Sequence, residues 1–422
     1  MTSGARLRLA RQVRGFSQQQ LAGMAGVSRQ AVSAVESGQS DPSLRVALAL
    51  ARALGMTVDE LFGPDVTVPV VSARLVGPAA GLSTAGMRPG AAGPGAAGPG
   101  SPSGARAGPG AAGARVTLAA IGDSLVAMPL SGPTASRAGF MPAGGLIADP
   151  ADGETSPGPG AGLLAVWPIG PPRPTLVVAG CDPALPLLEA PLSLLDPPVA
   201  FSWWPCPSQE ALRLAADGLV HVAGAHLRGR SGGYNTGPAG ELLPAGGEVL
   251  GFSAWQEGLV LRPEAADGVA GVADVVRRGL RLVNREPGAE ARRVLDRELA
   301  RLGLDPGQVA GYETRVNGHL EVAGAIAAGL ADVGVASEPA ALAYGLAFVP
   351  LADERFDLVI PAGQAGSREV QCLMKVLCSR WLLDQLASLP GYDPAPCGQR
   401  VASLPAARSG RLAGLPGPLR LR

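Results

Sequence analysis

Lysine is nearly missing from this 422-residue chain: Lys375 stands alone, and arginine carries the rest of the positive charge. No G-x-x-x-x-G-K-[ST] loop occurs, which excludes a P-loop nucleotide hydrolase. No apolar run of about 18 residues is free of proline and charge, so no membrane-spanning helix is expected. The chain starts directly in a basic, amphipathic segment without an apolar leader, so no signal peptide is expected and the expected compartment is the cytoplasm. Cysteine is scarce and scattered: Cys181, Cys206, Cys372, Cys378 and Cys397 form no C-x-x-C pair, as befits reduced packing thiols. Nor does the sequence show Ser-His-Asp logic, an evident carboxylate pair or metal-ligand spacing. No catalytic residue, metal or cofactor is therefore expected, and the protein is not expected to be an enzyme.

Charge is balanced overall, with 35 basic and 35 acidic residues, but it is unevenly placed. Residues 1–63 carry Arg6, Arg8, Arg11, Arg14, Arg29, Arg45 and Arg52 against Glu36, Asp41, Asp59 and Glu60, and residues 1–35 hold no acid at all. Such a basic segment matches a phosphate backbone. Residues 77–114 consist almost wholly of small residues and proline, without a strict Gly-X-Y period. With so little apolar surface to offset chain entropy, they are expected to be a disordered insertion.

The most informative stretch runs from Gln18 to Ser37, QQQLAGMAGVSRQAVSAVES. Leu21, Ala22 and Ala25 lie on one helical face, Gly26 supplies a tight turn, and Ser28 is an N-cap for a helix that carries Val32 and Val35 inward. With its flanks, the segment from Ser3 to Gly63 resembles a five-helix Cro/phage-repressor domain of the Xre family, a DNA-binding fold. The resemblance places Gln18 and Ser28 near phosphates. Arg29, Gln30 and Ser33 face outward from the second helix, where Arg suits guanine and Gln suits adenine. Glu36 is expected to turn back onto the domain's own arginine or backbone, since a carboxylate near phosphate would repel.

Beyond this domain (1–63), residues 64–173 are expected to be a linker. It holds small strand-like runs at 66–76, 116–130 and 162–169 around the insertion. From Pro174 to about residue 390, apolar strand-like runs alternate with helical segments, which argues for α/β with mainly parallel sheets in two lobes. The run 247–263 reads as two strands around a turn. The sequences LRLVNREPGAEARRVLDREL, GYETRVNGHLEVAGAIAAGLADVGVASEPAA and GLAFVPLADERFDLVIP resemble the periplasmic-binding-protein-like domain of helix-turn-helix regulators. Its relatives bind molybdate and tungstate. The resemblance implies a two-lobed clamp closing on a small ligand. The fold class expected is thus multidomain: an all-α five-helix domain, then an α/β two-lobed domain, then a basic, disordered tail over 391–422.

Ligands of open α/β sheets sit at the carboxyl ends of strands, where helix N-termini favour anions. Four strand-to-helix turns qualify: Cys181-Asp182 after Gly180, Ser208 after Pro207, Gly288-Ala289 before Glu290, and Asn317-Gly318-His319. Arg292 is the further candidate ligand contact. Relatives of this domain carry Gly-Ser-Gly-Thr-Arg where this chain has Gly288-Ala289-Glu290-Ala291-Arg292, so hydroxyls are replaced and a carboxylate arrives. Glu290 is left to pair with a cationic ligand or to point outward. His221 and His226, five apart on a strand-like run, face opposite sides, a poor arrangement for a shared metal. A core role is expected for His221. His226 and His319 lie at strand and loop ends facing the clamp. Asp332 is expected to satisfy a loop backbone, and Trp203, Trp204 and Trp255 to be core residues, with Trp255 at the inter-lobe crossover. Arg230 and Tyr234 form either a lid or a surface turn.

Together these features point to a one-component transcriptional regulator. It would be a homodimer on a double-stranded DNA operator, with a clamp that senses a small, anionic ligand such as a molybdate-like oxyanion. The alternatives are a cofactor-biosynthesis enzyme or a protein-binding scaffold carrying an autoregulatory helix-turn-helix.

Overall fold

A computed structural model describes residues 3–62, 70–76, 113–131, 139–148, 163–170, 173–229 and 233–406. The expected insertion lies outside the described residues except for Gly113 and Ala114, and so do Arg230 and the tail beyond residue 406. The chain forms two compact units, Met1–Pro69 and Val70–Arg422.

The first unit contains the five expected helices: α1 (Ser3–Val13), α2 (Gln18–Ala25), α3 (Arg29–Glu36), α4 (Leu44–Leu54) and α5 (Val58–Phe62). Serines open three of them. Ser17, Ser28 and Ser43 each accept from a backbone N–H of the first turn, and Ser17 forms a full capping box with Gln20. Gly26 ends α2 at φ +64°, a left-handed conformation that favours glycine and lets α3 turn away. Leu7, Leu21, Val32, Val35, Leu50, Leu54 and Leu61 form the core.

The second unit begins with a closed barrel of short strands. They are β1 (Val71–Leu75), β2 (Arg115–Ile121), β3 (Ser124–Pro129), β4 (Gly145–Ile147) and β5 (Leu163–Pro168), in the order β1-β3-β2-β4-β5. The expected linker strands are therefore one closed structure. On the barrel Val76, Ile121, Val126 and Met128 join the core that includes Val177, Ala179 and Leu212, so the barrel packs against the following domain.

That domain holds β6 (Thr175–Gly180), β7 (Ala200–Pro205), β8 (Val222–Ala225), β9 (Gly247–Leu261), β10 (Leu282–Arg285), β11 (Arg315–Val316), β12 (Val333–Ser337), β13 (Ala347–Pro361) and β14 (Arg400–Leu404). Along the sheet the order is β11-β10-β12-β9-β13-β8-β6-β7, with β14 added on β9. Strands β6, β7 and β8 are parallel and make one lobe; β10, β11 and β12 are parallel and make the other. Period-two alternation buries both faces: Leu176 and Val178 enter one core while Val177 and Ala179 enter another.

Two 15-residue antiparallel strands, β9 and β13, join the lobes. β9 pairs with β12 through Glu257–Leu261, whereas β13 pairs with β8 through Asp357–Val359. This corrects the reading of 247–263 as two strands around a turn. The polar residues Trp255, Gln256 and Glu257 resemble a turn in sequence but lie mid-strand, where β9 passes from one lobe to the other. Register shifts at Pro350/Ala352 and Phe356/Asp357 absorb the bend, and Pro350 is tolerated beside one of them.

A second correction concerns the tail. Arg400–Leu404 pairs with β9, and Asp393 bridges to Ala254, so residues 391–406 are folded onto the domain. The run VASLP alternates too weakly to announce a strand by itself; β9 supplies its ladder.

Asp332, on the turn before β12, accepts from the Arg281 backbone N–H, Nε and Nη2, each at 3.0 Å, and pairs with Arg262. The Arg281 hydrogen bonds hold its pKa down at about 2. A depressed carboxylate stabilises the fold above its unfolded pKa near 3.8, and that contribution is lost as pH falls through about 2. Both arginines are more than a third exposed, so solvent screening keeps the effect to about 1 kcal/mol. Asp332→Asn should therefore flatten the acid limb of a circular-dichroism titration between those pH values. An unchanged limb would remove the ion pair from the acid response.

Candidate functional site

In the first unit, Ser28 Oγ accepts from the Ala31 N–H at 3.1 Å and sets the start of α3. Val32 and Val35 turn inward, which leaves Ser28, Arg29, Gln30 and Ser33 exposed along one edge. Glu36 behaves as its charge requires. It accepts from Arg11 Nε at 2.6 Å and Nη2 at 3.0 Å, and from Gln18 Nε2 at 2.9 Å. Burial would raise the Glu36 pKa, but the Arg11 and Gln18 hydrogen bonds carry it below the usual glutamate value. The Gln18 amide, expected at a phosphate, is thus committed to Glu36.

In the second unit, a buried polar cluster gathers where the lobes meet β9 and β13. Cys181 follows β6 because the strand must stop at Gly180. A Cβ there would lie 3.1 Å from Gly224 and from the Phe356 ring, at a backbone φ of +153°. His226 follows β8, and its Nε2 lies 3.1 Å from the Cys181 sulfur. His319 opens the helix His319–Ala327 of the other lobe, with its Nδ1 accepting from the Ser337 N–H at 3.1 Å. The sulfur and one nitrogen from each ring all lie within 4.8 Å of one another, and all three residues are buried. Trp255 packs edge-on to the His319 ring and tilted against His226.

Carboxylates back both imidazoles. Glu354 Oε2, on β13, is 3.6 Å from His226 Nδ1, and Glu257 Oε1, on β9, is 3.5 Å from His319 Nδ1. Neither Glu354 oxygen has a hydrogen-bond partner among the described residues, though the side chain is fully buried. Burial would lower the His226 pKa, but Cys181, Glu354 and Glu257 outweigh it and push it well up. Glu257 is pushed up to about 7, chiefly by burial, with His226 and Arg285 opposing. Arg285 is 1% exposed and pairs through Nε with Glu286 at 2.7 Å. Glu286 Oε2 in turn accepts from the Gly318 N–H at 3.4 Å, so the chain's own carboxylate stands at the N-terminus where an oxyanion was expected.

Most of the other sequence-derived candidates make contacts within the domain. Asp182 accepts from Ser253 Oγ at 2.9 Å, the Tyr392 hydroxyl at 2.6 Å and the Ala184 N–H at 2.8 Å, which ties the turn to β9. Ser208 Oγ accepts from the His226 N–H at 3.1 Å and so orients that residue. Arg292 stacks on Tyr312 at 4.6 Å and donates to the Arg285 carbonyl at 3.2 Å. Ala289 caps its helix without a side-chain bond, and Asn317 is exposed. Gly288 faces Gln209 of the opposite lobe: a Cβ there would lie 3.4 Å from Gln209 Oε1. Glu290 neither points outward nor waits for a ligand; it is buried and pairs with Arg297 at 2.6 Å. His221 takes the expected core role, accepting from the Val177 N–H at 3.1 Å. The Tyr234 hydroxyl donates to the Asp353 carbonyl, which ties that loop to β13.

Cys181, His226 and His319 have no metal-ligand spacing in the sequence, yet three separate elements bring them together. Spacing rules cannot find such a set. Glu257 and Glu354 escape sequence analysis for a related reason: nothing in WQEG or ADERFD marks those carboxylates as buried. The available signal was a carboxylate set among apolar residues of a long strand.

A helix-turn-helix family model matches residues 7–61, and a PBP superfamily domain model matches residues 190–378. Among curated proteins, the chain is 31% identical over 144 residues to the uncharacterised Bacillus subtilis protein YvgK, covering 34% of this chain. It spans about half, 46%, of that relative. It is 34% identical over 112 residues to an uncharacterised Clostridium pasteurianum protein from the 5′ region of a 2Fe-2S ferredoxin gene, covering 26% of this chain and 99% of that one. Over 57 residues it is 37% identical to an uncharacterised HTH-type transcriptional regulator of Methanocaldococcus jannaschii, covering 14% of this chain and 86% of the relative. No helix among the described residues is long and apolar enough to cross a membrane.

Proposed function

The chain belongs to the helix-turn-helix family and joins that domain to a PBP superfamily domain; on that premise we propose that it is a cytoplasmic transcriptional regulator whose second unit senses a small ligand. Arg29, Gln30 and Ser33 on α3 read base edges, Ser28 approaches a phosphate, and a homodimer engages a two-fold operator. The observation that carries the sensing role is the buried cluster at the lobe junction, which takes Cys181 and His226 from one lobe and His319 from the other. A ligand touching both lobes favours the closed clamp, and a coupling of about 1–3 kcal/mol to operator affinity makes a graded switch.

The cluster's charge favours a cation over the oxyanion that the resemblance implies. Asp182, Glu257, Glu286 and Glu354 lie around it, against the Arg285 guanidinium, which Glu286 already engages, and a His226 whose pKa is pushed up. Adding a buried anion there would cost desolvation beside four carboxylates already present.

Two measurements on the full chain test the reading. Fluorescence anisotropy with DNA from upstream of its own gene should show salt-sensitive binding. A thermal-shift panel of molybdate, tungstate, sulfate, phosphate, amino acids and divalent cations should give a hit, since a ligand at 100 times its Kd adds ~2.7 kcal/mol. Operator affinity should then change with that ligand. A hit that leaves DNA binding unaltered would remove the sensing role, and no hit would favour the scaffold alternative.

A further inference from the structure

We propose that Cys181, His226 and His319 coordinate a borderline transition-metal cation of the zinc type. This deepens the clamp reading by naming the chemistry of its ligand, although the coordination itself stands on the residues alone.

The donor set is one thiol and two imidazoles, with donor atoms mutually within 4.8 Å. Sulfur and imidazole donors select borderline and soft metals such as zinc, and exclude calcium and magnesium, which demand oxygen ligands. The surroundings have the features of a second coordination layer. Metal-bound histidines donate their other ring N–H to a carboxylate, a backbone carbonyl or water, which fixes the ring. Here Glu354 stands 3.6 Å from His226 Nδ1 and Glu257 3.5 Å from His319 Nδ1; coordination through His319 Nε2 requires Nδ1 to exchange the Ser337 N–H it accepts for a bond donated to Glu257. Ser208 holds the His226 backbone from behind.

A second, independent observation is the polar imbalance. The buried Glu354 oxygens and Glu257 Oε1 have no hydrogen-bond partner among the described residues. Buried carboxylates left so are costly unless a positive charge offsets them. A divalent cation between the two histidines supplies that charge. On coordination Cys181 gives up its thiol proton to solvent, and affinity therefore rises with pH.

A Cys181–His226–Glu354 nucleophile triad is the rival use of these atoms. It leaves the second imidazole, His319, and its carboxylate Glu257 without a role, and its thiol is only 4% exposed. Three protein donors leave one position for water or an outside ligand in a tetrahedral site, as in catalytic and unlike closed structural zinc centres.

The test is titration of the purified, metal-stripped, reduced full chain with cobalt(II), followed by zinc(II) competition. Expected is a thiolate-to-cobalt charge-transfer band that saturates stoichiometrically and collapses on adding zinc. Cys181→Ser should abolish the band, whereas Cys206→Ser and Cys378→Ser should retain it. Glu354→Gln, a positioning variant, should keep the band but weaken affinity by about 10–100-fold. No band in the folded wild-type chain, or one that survives Cys181→Ser, overturns the proposal. Should Cys181→Ser lose its circular-dichroism signature, His319→Gln decides instead: loss of tight cobalt binding supports coordination, and unchanged affinity overturns it. A chain that binds no metal but still answers another small molecule in the thermal-shift panel would keep the clamp reading and remove the metal.

Discussion

Replacing Phe356 by alanine should lower the stability of the lobed unit by about 3–5 kcal/mol, the usual cost of deleting a buried ring. Phe356 is fully buried at a register shift of β13. Its ring lies 5.7 Å from Trp255, 6.1 Å from Phe252 and 6.2 Å from His226. Gly180 and Gly224 are bare beside it because a Cβ at either would press on the ring. Alanine would leave a cavity that these residues cannot close without moving β6, β8 and β9 together. The measurement is urea denaturation: the midpoint should fall with little change in slope. Phe356→Leu, which keeps more of the volume, should cost less. A loss below about 1 kcal/mol for alanine would mean that the junction repacks freely, contrary to a rigid joint.

The second large effect is on DNA. Arg29→Ala and Gln30→Ala should each weaken operator binding by ~1–3 kcal/mol, the worth of one bidentate base contact, which is roughly 5- to 150-fold in Kd. Both side chains are exposed at the start of α3, while Val32 and Val35 anchor the helix from below. On non-operator DNA the two variants should lose less, because phosphate contacts carry no sequence information. Ser28→Ala should behave differently. It removes an N-cap worth about 1 kcal/mol of helix stability and should weaken all DNA alike. Equal losses for Arg29→Ala on operator and random DNA would show that it meets phosphate and not bases. No loss at all would move the recognition surface off α3.

What could be read from the sequence follows from how local the determining physics is. Gly26, Ser28, Val32 and Val35 act within a few residues of one another, so the helix-turn-helix is legible position by position. That Glu36 turns back onto its own domain was legible too, with arginine or backbone as the expected partner; the partner is Arg11. The strand–helix alternation gave the two lobes. It failed at β9 and β13, where polar residues belong to a buried junction and imitate turns. The strand-to-helix turns at Cys181 and His319, singled out in the sequence, both open onto the buried polar cluster. Their partnership with His226, Glu257 and Glu354 depends on lobe packing across strands β6, β8, β9 and β13, and no sequence spacing encodes it.

The paired strands between the lobes also have a mechanical meaning. Each runs 15 residues, about 50 Å at ~3.3 Å per residue, with Glu257 and Glu354 nearer the middle than the ends. The cluster thus sits at a fulcrum. A ligand held by Cys181, His226 and His319 would act on both lobes where the strand pair joins them, not at their far edges.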